Sequence, residues 1–496
     1  MHRKWALLAV LLTALLAPGS VQAQGADPAP PSETLRLADV LGVVVQQSPS
    51  LASAQINQKI AAAQVVQSTG IDDMLLQATG SYVFDANQNV DGNITGVDES
   101  RVAAATATLS KLMSSGGTLS LQANTSRRAF TLTFDGSEVV SDQSQFSARF
   151  NQPLLRGRGN EISHASQRQA RNNLSAVALD LQATARDEIR AVIEAYWEVV
   201  WAHNDLEIRR SALALAVERR RLTESSVKLG SAPRTALLEV DQVMATNEEE
   251  ILLAEQRVTE RSLELRRLAG LEIGPSHIDV TTAEQLSVSP KPFTVGPVLE
   301  AAFATSPELG ALEKRGKSAT IEIAVADNSA AAKLDLGLSA GPQGTDDNFG
   351  GALGRMITFK GYFVGADLTY EQRIGNNTAK GASQVAQAQR HLLRVNERQM
   401  RAQLAVSATR AVQSANIANK RMELSQRAIG LSEQNIEAER RRFESGKATN
   451  FDVLQRQEEQ KQARLRYARA EVDYLRATIA IQALSGELLS SYGITL

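Results

Sequence analysis

Few side chains in this chain of 496 residues are placed to make or break bonds. There is no cysteine, which removes disulfides, thiolate metal sites, a cysteine nucleophile and a lipidated bacterial N-terminus. The five histidines, His2, His164, His203, His277 and His391, are scattered without HExxH or paired-ligand spacing, so neither a metal nor a cofactor is expected. GGALG at Gly350 lacks the lysine that a phosphate loop requires and lies between two strand patterns. RGRG at Arg156 to Gly159 offers guanidinium groups to a lipid phosphate at a membrane edge, or is a solvated connection. ERRR, at Glu218 and again at Glu439, fits a solvated helix face. Asp452 in TNFDVLQ stands where the start of a helix takes a capping carboxylate. Nothing joins a nucleophile to a base, and the chain is not expected to be an enzyme.

What the sequence does specify is a long scaffold. The length allows two or three ordinary domains or one elongated one. With 53 basic and 55 acidic side chains there is no global basic field, so nucleic acid is not an expected partner. Aromatic residues make up only 4% of the chain, too few for the core of an ordinary enzyme of this size and better suited to Ala-rich helical packing. Residues 1–23 have the charged start, apolar run and small-residue end of a secretory signal, and residues 24–34 form a flexible lead-in. No later stretch approaches the roughly 18 apolar residues of a spanning helix.

The pattern then occurs twice, over residues 35–290 and 291–496. LRLADVLGVVVQQSPSLASA from Leu35 matches FTVGPVLEAAFATSPELGAL from Phe293, pairing Pro49 with Pro307 at an offset of 258. VKLGSAPRTALLEV around Gly230 matches FESGKATNFDVLQ around Gly446 at an offset of 216, so the first half carries 42 additional residues. Each half opens with helical spacing and then alternates, over about 75–152 and about 334–374, as strands do. These two stretches hold 11 of the 22 aromatic residues in about a quarter of the length, the concentration an interfacial girdle needs. Long helical patterns follow, about His164 to Leu229 and about Lys380 to Ser445, each turning at a glycine and returning as a helix of about 35 residues. So few strands cannot close a barrel alone, and lipid tolerates no open edge. Two hairpins per chain in a trimer would supply twelve strands. The 42 additional residues have room for an extra hairpin on either side of SSGG, from residues 101–112 and 118–134, and the sequence leaves open whether it joins the barrel.

The duplicated order, the Ser-Pro step in each half, RFESGKATNFDVLQ at the second turn and NQPLLRG at Asn151 resemble the TolC-like outer-membrane efflux protein family over nearly the whole mature chain. The resemblance implies a mixed α and β fold: an outer-membrane β-barrel of twelve strands, completed by trimerisation, continuing into a long periplasmic α-helical barrel. It implies a passive exit duct for a tripartite efflux pump or type I secretion, working with a periplasmic adaptor protein, an inner-membrane transporter and outer-membrane lipid. In that family the turns close the tunnel, dock the adaptor and carry an acidic ring. Gly230, Gly446 and Phe443 then fall at the tip, and Asp452 at the constriction, where three carboxylates would attract cations. The pattern departs at Gln455, Phe443 and Ala448, and in the first half Ala236 stands opposite Asp452, leaving Glu239 and Asp241 as substitutes. The competing reading is an exported coiled-coil adaptor or rod, which would have one helical hairpin rather than two separated by aromatic-bearing strands.

Overall fold

A computed structural model describes residues 34–86, 97–132, 136–230, 232–274 and 278–494. The signal segment and nearly all of the lead-in lie outside them. The first half runs β1 (Thr34–Leu35), α1 (Leu37–Gln47), α2 (Pro49–Thr69), β2 (Leu75–Ala86), β3 (Val97–Leu112), β4 (Thr118–Leu132), β5 (Glu138–Pro153), α3 (Asn160–Ser163), α4 (Ala165–Lys228) and α5 (Thr235–Ala269). After β6 (Thr281–Thr282) come α6 (Val295–Thr305), α7 (Pro307–Ala330), β7 (Lys333–Asp346), α8 (Phe349–Ile357), β8 (Gly361–Glu371), α9 (Asn377–Glu444), α10 (Asn450–Ser485) and α11 (Leu488–Ser491).

The Ser-Pro steps act as matched helix starts. Ser48 and Ser306 are extended N-caps whose side chains accept from the backbone N–H of Leu51 and Leu309, with Pro49 and Pro307 at the first helical turn. A serine oxygen satisfies an orphan amide there, and proline gives up an amide that has no helical partner. Beyond Ser306, Glu308 accepts from Arg186 on α4. Burial opposes the ionised form of Glu308, but Arg186 and Ser306 outweigh it and hold its pKa low.

Alpha helix α9 is 68 residues long, about 100 Å at the usual rise. It lies against α10, as α4 lies against α5, and α4 also packs on α2, α7 and α10. Two clusters of small and branched residues hold the rods. One gathers Val40, Val44, Ile189, Val192, Ile193, Tyr196, Leu265 and Ile479. The other gathers Ala408, Ala411, Ala415, Ala418, Ala470, Tyr474 and Ala477, where alanine lets α9 and α10 approach closely. Tyr196 is fully buried, and its hydroxyl lies within hydrogen-bond reach of both the Leu35 carbonyl and the Glu284 carboxylate, either of which can take its one proton.

The remaining strands form one antiparallel sheet in the order β2-β3-β4-β5-β7-β8. Two hairpins per chain would have given four strands; the sheet has six, because residues 97–132 pair into it on both sides. Alternation along each strand divides its faces. Gln77, Thr106, Gln122, Asn124, Gln145 and Ser339 share one face, where Thr106 bonds Asn124 at 3.3 Å and Arg149 pairs with Asp367 at 3.0 Å. Ala107, Leu121, Ala148, Phe150, Leu338 and Leu368 share the other. GGALG, which the sequence places between two strand patterns, lies within α8, an amphipathic helix of nine residues, about two and a half turns, that seats Ala352 against the sheet near its far end. Asn348 caps it through the Gly351 amide at 2.8 Å.

Candidate functional site at the helical turns

The sites expected from the sequence gather at the end of the rods opposite the sheet. Both turns are built alike. Gly230 and Gly446 each sit at φ 71°, one residue past the helix cap. The Gly446 amide donates to the Phe443 carbonyl at 2.9 Å and the Lys447 amide to the Arg442 carbonyl at 2.8 Å, the paired bonds that end a helix through a left-handed glycine. Gly230 repeats the first of these bonds, its amide donating to the Val227 carbonyl at 3.1 Å.

Asp452 lies on the first turn of α10 and closes a capping box. Its Oδ2 accepts from the Thr449 amide and hydroxyl, both at 2.7 Å, while its own amide donates to Thr449 Oγ1 at 3.3 Å. The Thr449 bonds, with Arg442 and Arg456 nearby, hold the Asp452 pKa below the ordinary aspartate value. Glu239 is exposed one turn into α5. Asp241 is tied to Arg220 on α4 at 2.7 Å. Gln455 is exposed beside Asp452, and Ala236 is half-buried.

Phe443 is half-buried, and the guanidinium of Arg219 lies over its ring, 4.6 Å from the centroid. Arg219 comes from α4, so this contact clasps one helical hairpin to the other. It is a buried cation whose Nε and one Nη make no hydrogen bond among the described residues. Burial lowers its pKa, the nearby Arg440 adds to that, and Glu444 opposes it. The aromatic face thus supplies the attraction that a carboxylate would otherwise give. The sequence placed Arg219 within ERRR, read as a solvated helix face, and nothing in that run set Arg219 apart.

Beside the turns, apolar side chains that reach solvent include Leu229 at 83% exposure, Leu238 at 68% and Phe451 at 54%. They flank both turns. Alternation and spacing gave no sign of them, because a single leucine beside a glycine turn looks the same whether covered or open.

A family model described as outer membrane efflux protein matches residues 298–487. No curated protein matches the sequence. Among solved structures, the chain is similar to the outer-membrane channel OprN (TM-score 0.67, 15% identity, 91% of this chain and 90% of that one). It is similar to the outer membrane protein VceC of Vibrio cholerae (TM-score 0.65, 16% identity, 91% and 96%). It is also similar to the open state of the Neisseria gonorrhoeae MtrE outer membrane channel (TM-score 0.63, 15% identity, 91% and 89%). The chain thus resembles the TolC-like outer-membrane efflux proteins, by a sequence match in its second half and by a shared fold over nine-tenths of its length.

Proposed function

We propose that this chain is a passive outer-membrane exit duct: a homotrimer whose sheets close a barrel in the membrane and whose helices form a periplasmic tunnel ending at the glycine turns. The observation that carries the reading is the sheet itself. It is polar on one face and apolar on the other, and it is open at both edges, β2 and β8. An open edge in lipid leaves backbone groups unpaired at several kcal/mol each, so the sheet needs copies of itself. The helices supply a second unpartnered surface: Val385 and Leu392, then Ile417, Leu424 and Leu431, recur at seven-residue spacing on α9 and are exposed in the single chain. That spacing fits a neighbouring helix of another copy. A lone adaptor or rod has no use for such a sheet.

Within this reading the internal repeat packs two helical hairpins per subunit around the tunnel. The tip, with Gly230 and Gly446 at its turns and Leu229, Leu238 and Phe451 exposed, presents an apolar docking patch to a periplasmic adaptor, which in turn joins an inner-membrane transporter. Phe443 sits behind this patch as the platform for Arg219. Asp452 and Glu239 bring carboxylates to the same end, three of each per trimer, and make the constriction cation-selective.

Purified mature protein in planar bilayers tests this. Small cation-selective currents in the wild type, with selectivity weakened in Asp452→Ala and further in the Glu239→Ala, Asp452→Ala pair, are expected. Folded protein that never inserts would return the chain to the rod reading.

A further inference from the structure

The sheet of one chain is wider than a twelve-stranded trimer uses. We propose that the β8 edge of one copy pairs with the β2 edge of the next so that all six strands of each chain enter the wall, and three chains close a barrel of eighteen strands. This rests on the trimeric duct proposed above and specifies its membrane section.

Three observations carry it. The hairpin β3–β4 is not an appendage, since β3 is in register with β2 from Glu99 to Ser110 and β4 with β5 from Thr118 to Thr131. The division into faces runs straight through that hairpin, with Thr106, Thr108, Gln122 and Asn124 on the polar side and Ala105, Ala107, Leu121 and Ala123 on the apolar side. A hairpin folded outside the wall would have no reason to keep the wall's alternation. Finally, the two free edges match each other. Beta strand β2 leaves the helices and β8 returns to them, so the seam between copies is antiparallel, as an even strand count requires. The edges are 12 and 11 residues long, enough to cross a bilayer, and each carries exposed tyrosine on its apolar face: Tyr82 on β2, Tyr362 and Tyr370 on β8.

Barrel diameter grows roughly linearly with strand number, so eighteen strands give a bore about one and a half times that of twelve, in the range that holds an open aqueous channel. Lined by Gln, Asn, Thr and Ser, such a section passes bulky hydrated cargo without selecting it. Discrimination is left to the tip.

The absence of native cysteine makes strand neighbours directly readable by cross-linking in the outer membrane. Each strand in a wall has two neighbours. Eighteen strands predict a disulfide within one chain for Gln77→Cys with Thr108→Cys, and for Gln122→Cys with Ser147→Cys. They also predict that Thr369→Cys links to a different chain through one of Gln77→Cys, Thr79→Cys, Ser81→Cys or Val83→Cys, shifting monomer to dimer and trimer on a denaturing gel. A link from Thr369→Cys to Gln122→Cys or Asn124→Cys of another chain would place β2 and β3 outside the wall and overturn the proposal. So would Gln77→Cys joining Asn151→Cys, which puts β2 beside β5, or a native trimer in which Thr369→Cys meets none of the four β2 positions. Native mass spectrometry on the same samples separates the two levels: absence of a trimer sinks the duct reading itself, whereas a trimer with another seam sinks only the strand count.

Discussion

The clasp between Arg219 and Phe443 sets two effects against each other at a single side chain. The Arg219 guanidinium has two buried nitrogens without a hydrogen bond among the described residues, which cost stability, and an aromatic face, which returns some of it. Arg219→Met is therefore expected to be near neutral in thermal unfolding of the detergent-solubilised protein. Phe443→Leu should be more damaging with Arg219 present than in the Arg219→Met background. The double-mutant cycle should return a favourable coupling of roughly 0.5–2 kcal/mol, and zero coupling would mean that the ring is only filler. Asp452 makes a different prediction, in pH. Its folded pKa is depressed by Thr449, so the cap's contribution is complete above the ordinary aspartate pKa and is lost as pH falls through the depressed value. Hydrogen exchange at the Thr449 to Val453 amides should therefore accelerate, beyond its intrinsic pH dependence, only in that acid window. In Asp452→Asn the extra step should disappear.

At the scale of elements, the turns are backbone devices. A Cβ at Gly446 would meet no atom within 4 Å, so the cost of filling it lies in φ alone. Gly446→Ala should lower stability by about 1–2 kcal/mol, and Gly446→Asn by distinctly less, since asparagine visits the left-handed region more readily. Equal losses in a melt would show that space, rather than φ, matters there. These turns were legible in the sequence because their determinants are local, a glycine and a capping carboxylate six residues later, and because the pattern recurs at a matched offset; that Thr449 is the N-cap, with Asp452 at the third position closing the box, came only from the structure. The long helices were legible for the same reason, their ends at Lys228 and Glu444 falling within a residue of where periodicity stopped. Strand content was legible, and strand number was not. The alternation around SSGG announced a hairpin, but its place in the sheet is fixed by pairing of β4 with β5 and β2 with β3, and alternation is silent about partners. Likewise α8 hid behind glycines that propensity assigns to a loop, until a capping Asn348 and packing of Ala352 outweighed them. Arg219 and Phe443 were invisible as a pair because the chain brings them together only after two hairpins have formed.

For the whole molecule, the question is what keeps two helical hairpins from sliding when alanine supplies so little interlocking shape. Buried charge does much of it. Lys461 on α10, its side chain 3% exposed, donates to Glu250 at 2.8 Å, Glu458 at 2.7 Å and Asn247 at 3.1 Å. Glu250 also takes Arg209 at 2.7 Å, which pairs with Asp205 at 3.0 Å, and Arg257 completes Asp205 at 2.7 Å. The chain of contacts thus crosses from α10 through α5 to α4. Further along, Glu198 on α4 holds Arg469 and Arg476 of α10 at 3.1 and 3.0 Å, and Asp473 relays Arg469 to Arg421 on α9. Such networks fix register by requiring specific partners, whereas an apolar seam tolerates a one-turn slip. Removing one member strands the others. Lys461→Met should cost roughly 1–3 kcal/mol, because buried Asn247 loses its partner and Glu250 is left to Arg209 alone. The same change at Arg221, which pairs with Glu218 on an open helix face, should cost within about 0.5 kcal/mol. Salt sharpens the contrast: the Arg221 effect should vanish at high ionic strength and the Lys461 effect should persist. Hydrogen exchange in the Lys461→Met variant should rise in α5 as well as α10, since the network, rather than either helix alone, holds that register. A rise confined to α10 would mean that the hairpins are held by packing, with the charges as passengers.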